Sequence, residues 1–172
     1  YRAAHTSWVL ELPAGRRVPD RGLPPGYAMR TPADDAAVRA AHEVIETAFG
    51  EWPGRVREGF EDWAATTVRR PGAEPWQLRV VETAAGEAVG ACFTILDGQG
   101  VGFVHQLAVR ADHRGRGLAR ALLADGFAAA RGRGAIRGEL STDSRTGALD
   151  LYLGVGLVVS QTWTHLVTDL PR

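Results

Sequence analysis

The sequence predicts a mixed α/β fold of the α+β kind, with a mostly antiparallel central sheet and helices on both faces. The chain has 172 residues, of which 45% are hydrophobic, so it can bury the core of one domain. From residue 27 onward the hydrophobic period alternates between that of a helix and that of a strand. Glycine and proline separate these segments. The predicted order from residue 27 is β-α-α-β-β-β-α-β-α-β.

The opening of the chain predicts a strand followed by a linker. Residues Thr6 to Leu12 have a strand pattern, and Pro13 to Gly26 are rich in proline, glycine and arginine. We therefore divide the chain into residues 1–13 as an orphan strand, 14–26 as a linker and 27–172 as the main domain. The composition of the linker predicts that it does not pack.

The next segment predicts one short strand and two helices. Tyr27 to Arg30 is the strand, and Thr31 and Pro32 are an N-cap and a first-turn proline for the helix that follows. Gly50 ends that helix. Apolar residues at helical spacing between 60 and 68 predict the second helix.

The remaining elements follow from changes of period. Three strands joined by glycine-bearing turns predict an antiparallel meander. After the meander the pattern alternates between helix and strand. These segments are the strands Trp76–Glu82, Glu87–Leu96 and Gly100–Val109, a helix from Leu118 to Arg131, a strand Ile136–Thr142, a helix Thr146–Leu153 and a strand Leu157–Leu170.

Composition and charge exclude several function classes. Twenty basic residues, all arginine, balance 20 acidic ones, so no general field attracts nucleic acid or an anionic membrane. The absence of lysine excludes Schiff-base chemistry by this chain. The single Cys92 lies in a strand pattern, which favours a small core residue over a nucleophile. We expect no bound metal, no membrane span and a reducing, cytoplasmic setting.

One stretch of the sequence predicts an anion-binding turn. Residues 104–123 read as a strand, a basic turn and an amphipathic helix, which leaves N–H groups free at a helix N-terminus. Gly115 and Gly117 allow close approach of a ligand, and Arg114, Arg116 and Arg120 supply charged donors. The expected ligand is a phosphate ester such as a pyrophosphate.

Two spaced motifs resemble those of the GCN5-related N-acetyltransferases. Arg114-x-x-Gly117-x-Ala119 follows a strand and is similar to the acetyl-CoA signature of that family. Ala148-x-x-Leu151-Tyr152-x-x-x-Gly156-Leu157 is similar to its later helix, with leucine where phenylalanine is usual and Arg145 where asparagine is frequent. The resemblance covers about residues 27 to 170.

The resemblance implies a fold, a co-substrate and its binding residues. The fold is the GNAT fold, in which the fourth and fifth strands splay apart, and the co-substrate is acetyl-CoA. Main-chain groups of the fourth strand bind the pantetheine arm, and the turn binds the pyrophosphate. The residues so implied are Leu107, Ala108 and Val109 for pantetheine, and Arg114, Gly115, Arg116, Gly117, Leu118 and Ala119 for pyrophosphate.

Candidates for proton transfer are less specific. Tyr152 matches the general-acid tyrosine of the family motif, and the alternative is a core aromatic. His105 has the alternating position that shares a strand face with Leu107, which suggests a base, and the alternative is a structural histidine. Glu139 on a neighbouring strand is a second base candidate, and water alone is a third route. His113 is expected to be a solvated turn residue.

Acceptor recognition is expected from the two early helices and their loop. The candidates are Glu51, Trp52 and Glu139, beside further acids whose ordinary role is at helix ends: Glu46, Glu58 and Asp62. The resulting hypothesis is an N-acetyltransferase that acts on a primary amine of a small molecule or peptide. The alternative is a non-catalytic acyl-CoA-binding or regulatory module.

The two ends of the chain share a faint similarity. Thr6 to Pro13 and Thr164 to Pro171 carry threonine, valine, an acid, leucine and proline in matching places. The opening strand therefore resembles the closing strand of a preceding acetyltransferase domain. Because an unpaired apolar strand invites aggregation, we expect it to pair with the sheet edge near the final strand, within the chain or in a swapped homodimer.

Overall fold

A computed structural model describes residues 2–168, which form one seven-stranded sheet with helices on both faces. The order of the strands is β2-β3-β4-β5-β6-β1-β7. Neighbouring strands are antiparallel except β5 and β6, which are parallel. The strands are β1 Arg2–Leu12, β2 Tyr27–Arg30, β3 Leu78–Thr83, β4 Ala88–Leu96, β5 Val101–Val109, β6 Arg137–Asp143 and β7 Val158–Val167, and the helices are α1 Asp35–Phe49, α2 Phe60–Thr66, α3 Leu118–Arg131 and α4 Leu149–Gly154. The predicted fold class and element order are confirmed.

The two faces of the sheet bury separate clusters of apolar side chains. Helices α1 and α2 cover one face, where Ile45 and Trp63 pack on Phe93 of β4. Helix α3 covers the other face, where Leu122 packs with Tyr152 of α4. Both helix stripes were predicted from helical spacing, because one apolar stripe must face the sheet.

Helix α1 begins three residues later than predicted. Asp34 is its N-cap, and its side chain accepts a 2.8 Å hydrogen bond from the Ala37 N–H. The hydroxyl of Thr31, the predicted cap, instead accepts a hydrogen bond from Arg79 of β3. Thr31 and Asp34 are both suitable N-caps, but the Thr31 hydroxyl is engaged by Arg79, and Asp34 caps the helix.

Strand β1 lies between β6 and β7. Leu10 is opposite Leu140 of β6 on one side and Val159 of β7 on the other. The predicted pairing with the final strand is confirmed, but the predicted edge position is wrong, because β7 is the edge. Leu10 and Leu12 are fully buried in the core that lies between the sheet and α3. The last three residues of the similarity, 169–171, lie outside the described residues.

The segment between β1 and β2 packs against α3, contrary to the prediction from its composition. Val18 is buried in the main core, and Leu23 packs at its margin. Arg131 of α3 donates a 2.5 Å hydrogen bond to the carbonyl oxygen of Arg16. Two apolar side chains and one arginine thus anchor a segment that is otherwise rich in proline and glycine.

Among the helices of residues 2–168, none is both long enough and apolar enough to cross a membrane.

Candidate active site

Strands β5 and β6 separate partway along their length and open a cavity. They pair from Val101 and Arg137 as far as Val104 and Leu140. Beyond that point β6 continues along β1, while β5 continues along β4. A cavity of about 750 Å³ lies where they diverge. The predicted splay of the family's fourth and fifth strands is therefore present, in strands that are fifth and sixth here because β1 precedes them.

The cavity brings together most of the residues predicted for the site. Its walls also include the ends of α1 and β6. Of the predicted site residues, those that line it are Glu51, Trp52, His105, Leu107, Ala108, Val109, Arg114, Gly115, Gly117, Leu118, Ala119 and Tyr152. Arg116 and Glu139 do not line it.

The turn before α3 presents a row of unpartnered N–H groups to the cavity. Within residues 2–168, none of the amides from 115 to 120 meets a hydrogen-bond acceptor. Gly115 and Gly117 have φ angles of +74° and +82°, and no atom lies within 4 Å of where a Cβ would stand. Donors that converge at the N-terminus of a 14-residue helix suit an anion. The turn therefore fits a pyrophosphate group.

The arginines of this turn have different tasks. Arg114 donates to the Val109 carbonyl oxygen at 2.9 Å and to both carboxylate oxygens of Glu51 at 2.7 and 2.9 Å. Arg116 donates to the Tyr27 hydroxyl at 2.8 Å and points away from the cavity lining. Arg120 lines the cavity and has no hydrogen-bond or ion-pair partner in the described part of the chain. Arg120 is therefore the guanidinium available to a bound phosphate, and Arg114 and Arg116 hold the turn.

His113 is not a solvated residue, contrary to the prediction, because its side chain is only 15% exposed. Its Nδ1 lies 2.8 Å from the Tyr27 hydroxyl, and the two rings pack edge to face. Tyr27 belongs to β2, which is distant in sequence, so local sequence gives no sign of the contact. His113 therefore lines the cavity and is held there by Tyr27.

A β-bulge at His105 changes the faces of β5. Phe93 pairs with Gln106 and Thr94 pairs with Val104, so His105 has no opposite residue on β4. His105 packs edge-on against Phe93 on the side of α1 and α2, whereas Leu107 packs in the other core. The prediction that His105 shares the face of Leu107 is wrong, because a bulge inserts one residue into the alternation. The His105 side chain is exposed toward the cavity, and partial desolvation there lowers its pKa below 6.5, which favours the neutral imidazole.

Tyr152 lies on α4 at the floor of the cavity. It is 8% exposed, and its hydroxyl has no hydrogen-bond partner within residues 2–168. Burial raises its pKa to about 12, so the phenol keeps its proton near neutral pH. Tyr152 therefore packs in the core and also lines the cavity, and the general-acid role stays a prediction.

Glu139 is removed from the site by its position along β6. It is opposite Phe103 in the part of the sheet where β5 and β6 are still paired. Its carboxylate accepts a 2.9 Å hydrogen bond from Arg137 of the same strand. The proposed role of Glu139 in base catalysis or acceptor binding is therefore not supported by its placement.

The loop between α1 and α2 forms the outer wall of the cavity. Phe49 and Trp52 stack there with ring centroids 4.4 Å apart. The buried Glu46 carboxylate holds the loop, since it accepts 2.8 Å bonds from Arg55 and from the Glu58 N–H. Glu46 is therefore a structural residue, and the wall that it supports is aromatic.

In the part of the chain that the structure describes, two carboxylates line the cavity, Glu51 and Asp143, and Asp143 is the last residue of β6. Asp143 accepts hydrogen bonds from Arg145, the residue that replaces the family's frequent asparagine, at 2.6 and 3.1 Å. The start of α4 depends instead on Thr146, whose hydroxyl accepts the Ala148 N–H at 3.2 Å. Arg145 therefore neutralises Asp143 rather than organising the helix start.

Sequence reasoning missed Gln106. It is 8% exposed and lines the cavity, and its side-chain oxygen accepts a 2.8 Å hydrogen bond from the indole N–H of Trp63. One signal was available: Gln106, like the neighbouring His105, is a polar residue in a strand that is otherwise apolar between Val104 and Val109. Buried polar side chains in such a run have hydrogen-bond partners or functions.

Solved structures share this architecture. A GCN5-related N-acetyltransferase from Sphaerobacter thermophilus superposes with a TM-score of 0.80 at 32% identity, over 95% of this chain and 51% of that one. A second, from Kribbella flavida, gives a TM-score of 0.64 at 20% identity over 95% and 58% of the two chains and supports the fold alone. The splayed sheet, with its anion-binding turn before a helix, is therefore an acetyltransferase fold.

Sequence comparison identifies the family. Residues 38–156 match the model of the Acetyltransferase (GNAT) family. The chain belongs to this family, whose members use acetyl-CoA as co-substrate. It is 32% identical to a mycothiol acetyltransferase of Salinispora tropica and 29% identical to one of Thermobispora bispora, over 91% and 94% of this chain. The chain spans about half the length of these curated relatives, 52% and 55% respectively.

Proposed function

We propose that this chain is an acetyl-CoA-dependent N-acetyltransferase that acetylates a primary amine of a small molecule or peptide. One observation carries the proposal. The unpartnered amides of residues 115–120 open into the same cavity as His105 and Tyr152. An anion-binding turn therefore lies within one cavity with two groups that can transfer protons.

The chain would hold the co-substrate mainly through its backbone. The turn at Gly115 to Ala119 donates N–H groups to pyrophosphate, and Arg120 adds a charge-assisted bond. The free edge of β5 beyond Val104 offers main-chain groups of Leu107 and Ala108 to an extended arm. The Val109 carbonyl oxygen is already bonded to Arg114, which limits that residue's part.

Two side chains would then move protons. Acetyl-CoA supplies the acetyl group as a thioester, and direct attack by the amine forms a C–N bond as the C–S bond breaks. The neutral His105 imidazole accepts the proton that the amine nitrogen loses, directly or through water. Tyr152 donates its proton to the departing sulfur.

The organisation of the longer protein is also a proposal. Relatives about twice as long support the hypothesis that residues 1–13 close a preceding acetyltransferase domain, that 14–26 connect to it, and that 27–172 form the domain described. In that arrangement β1 supplies a strand to the sheet of this domain. Because two relatives are named mycothiol acetyltransferases, a mycothiol-related amine belongs in the panel of acceptors to test.

A thiol-release assay tests the activity. Acetyl-CoA is mixed with the protein and a panel of primary amines, and free CoA is measured with a thiol reagent. We expect release that depends on both the amine and the protein. A thermal shift with acetyl-CoA but no release with any amine would support the alternative, a non-catalytic acyl-CoA-binding module.

A further inference from the structure

The side chain of Gln106 presents an amide donor to the acceptor side of the cavity. An indole N–H can only donate, so the atom that faces Trp63 at 2.8 Å must be the Gln106 oxygen. The NH₂ group must therefore point away from Trp63. It has no acceptor among residues 2–168, and Gln106 lines the cavity although it is 8% exposed.

Gln106 lies on the side of the cavity where the acceptor amine is expected, and not on the side of the co-substrate. It follows His105 directly and packs on the α1 and α2 side, with Trp63 of α2. The anion-binding turn lies with α3 on the other side of the sheet. A donor on the α1 and α2 side is placed next to the proposed base and the aromatic wall of Phe49 and Trp52.

The charges of the cavity favour an uncharged oxygen as the partner of this donor. Within the described chain, the carboxylates that line the cavity are Glu51 and Asp143, and each is paired with an arginine. No carboxylate of the lining is thus left to hold a second cation. Among residues 2–168 the Gln106 NH₂ group is not sealed from solvent, so it opens into the cavity, where an oxygen of the acceptor can take the place of water as its partner.

We infer that Gln106 determines acceptor specificity by donating a hydrogen bond to an uncharged oxygen, a hydroxyl or carbonyl, close to the amine that is acetylated. The inference rests on the proposed acetyltransferase function. It defines the acceptor class as amino alcohols and amino amides rather than simple alkylamines or diamines. Trp63 is a positioning residue in this account, because it fixes which end of the amide faces the cavity.

The test uses three amines with one carbon skeleton and one isosteric variant. The amines are phenylglycinol, phenylglycinamide and 1-phenylethylamine, which lacks the oxygen. For the wild-type chain with acetyl-CoA we expect kcat/KM to be roughly 10- to 100-fold higher for the two oxygen-bearing amines. Gln106→Met has nearly the same volume but cannot donate a hydrogen bond and adds no charge, so it should abolish this ratio mainly through KM. The ratio between the amines is the readout, not the absolute rates.

The control variant is Trp63→Phe, which keeps Gln106 but releases its oxygen. We expect an intermediate ratio, because the amide can then turn either end toward the cavity. A wild-type ratio that persists in Gln106→Met overturns the inference, and so does a wild-type ratio near one.

Binding separates this inference from the proposed function. Calorimetry measures phenylglycinol binding to the CoA-saturated chain, wild type and Gln106→Met. Tighter binding by the wild type without any turnover would keep the inference and contradict the acetyltransferase proposal. No difference in binding together with no difference in turnover ratio would overturn the inference, whether or not acetyl transfer occurs.

Discussion

His105 and Tyr152 face one cavity with pKa values that desolvation moves in opposite directions. The pKa of the imidazole is lowered and that of the phenol is raised to about 12. Desolvation disfavours the charged form of each group, so near neutral pH the histidine is neutral and the tyrosine protonated. These are the states that a base for an ammonium and an acid for a thiolate require.

Tyr152→Phe should lower kcat by on the order of 100-fold, because proton donation stabilises the transition state and not the bound ground state. Single-turnover acetyl transfer measures the chemical step free of product release. The thermal shift with CoA should remain that of the wild type. Unchanged single-turnover transfer would reassign Tyr152 to the core.

Proton acceptance by His105 predicts an acid limb in kcat. The base must be neutral, and its pKa lies below 6.5, so kcat at saturating amine should fall only as pH drops through a value below 6.5. His105→Gln should lower kcat and remove this limb. If the variant retains the limb at the same pH, another group or water accepts the proton.

Two elements of the candidate site, the turn before α3 and the β-bulge in β5, differ in whether they could be predicted from sequence. The turn from Arg114 to Ala119 could be predicted because its glycines, arginines and following helix are local signals. The bulge at His105 could not, because it depends on the register of β5 against β4. That single inserted residue allows both His105 and Gln106, which are adjacent in sequence, to face the side of α1 and α2.

Gly117→Val should abolish the thermal shift that CoA produces. Its φ of +82° disfavours any side chain, and the new methyl groups would stand among the unpartnered amides. Gly86→Val in the turn between β3 and β4 is the matched control, since φ is +80° and no atom lies within 4 Å of its Cβ position either. Both variants should lose similar stability in the absence of ligand. A full CoA shift in Gly117→Val would place the binding site elsewhere.

Strand β1 should be an integral part of the folded unit. Leu10 is fully buried between β6 and β7, so Leu10→Ala should cost about 2–5 kcal/mol in the free energy of unfolding. Val56→Ala, at a side chain 79% exposed, should change it by less than about 0.5 kcal/mol. Denaturant unfolding measures both.

Hydrogen exchange gives an independent measure of the same strand. The amides from Val9 to Glu11 lie in a strand that is paired on both sides, so they should exchange slowly in the native protein. Rapid exchange there would show that β1 does not hold its place in the sheet.

For the whole molecule, the fold class was predictable from sequence, and so was the glycine-bearing turn before α3, whereas contacts between distant segments determine the rest of the candidate site. Glu51, predicted to bind the substrate, instead accepts a hydrogen bond from Arg114, which is 63 residues away in sequence. Its carboxylate therefore holds the turn before α3. Gln106 takes its orientation from Trp63, 43 residues away. Such pairings depend on the assembled sheet and its helices, and no local pattern encodes them.

The central claim is that CoA binds at the point where β5 and β6 separate, with its pyrophosphate on the turn before α3. Amide hydrogen exchange of the full chain, with and without saturating CoA, measures this directly. We predict slower exchange on CoA binding at residues 115–120, whose amides have no acceptor within residues 2–168, and along 105–109, with little change in β2 and β3. Unchanged exchange at residues 115–120, in a protein that thermal shift shows to be saturated with CoA, would contradict the account.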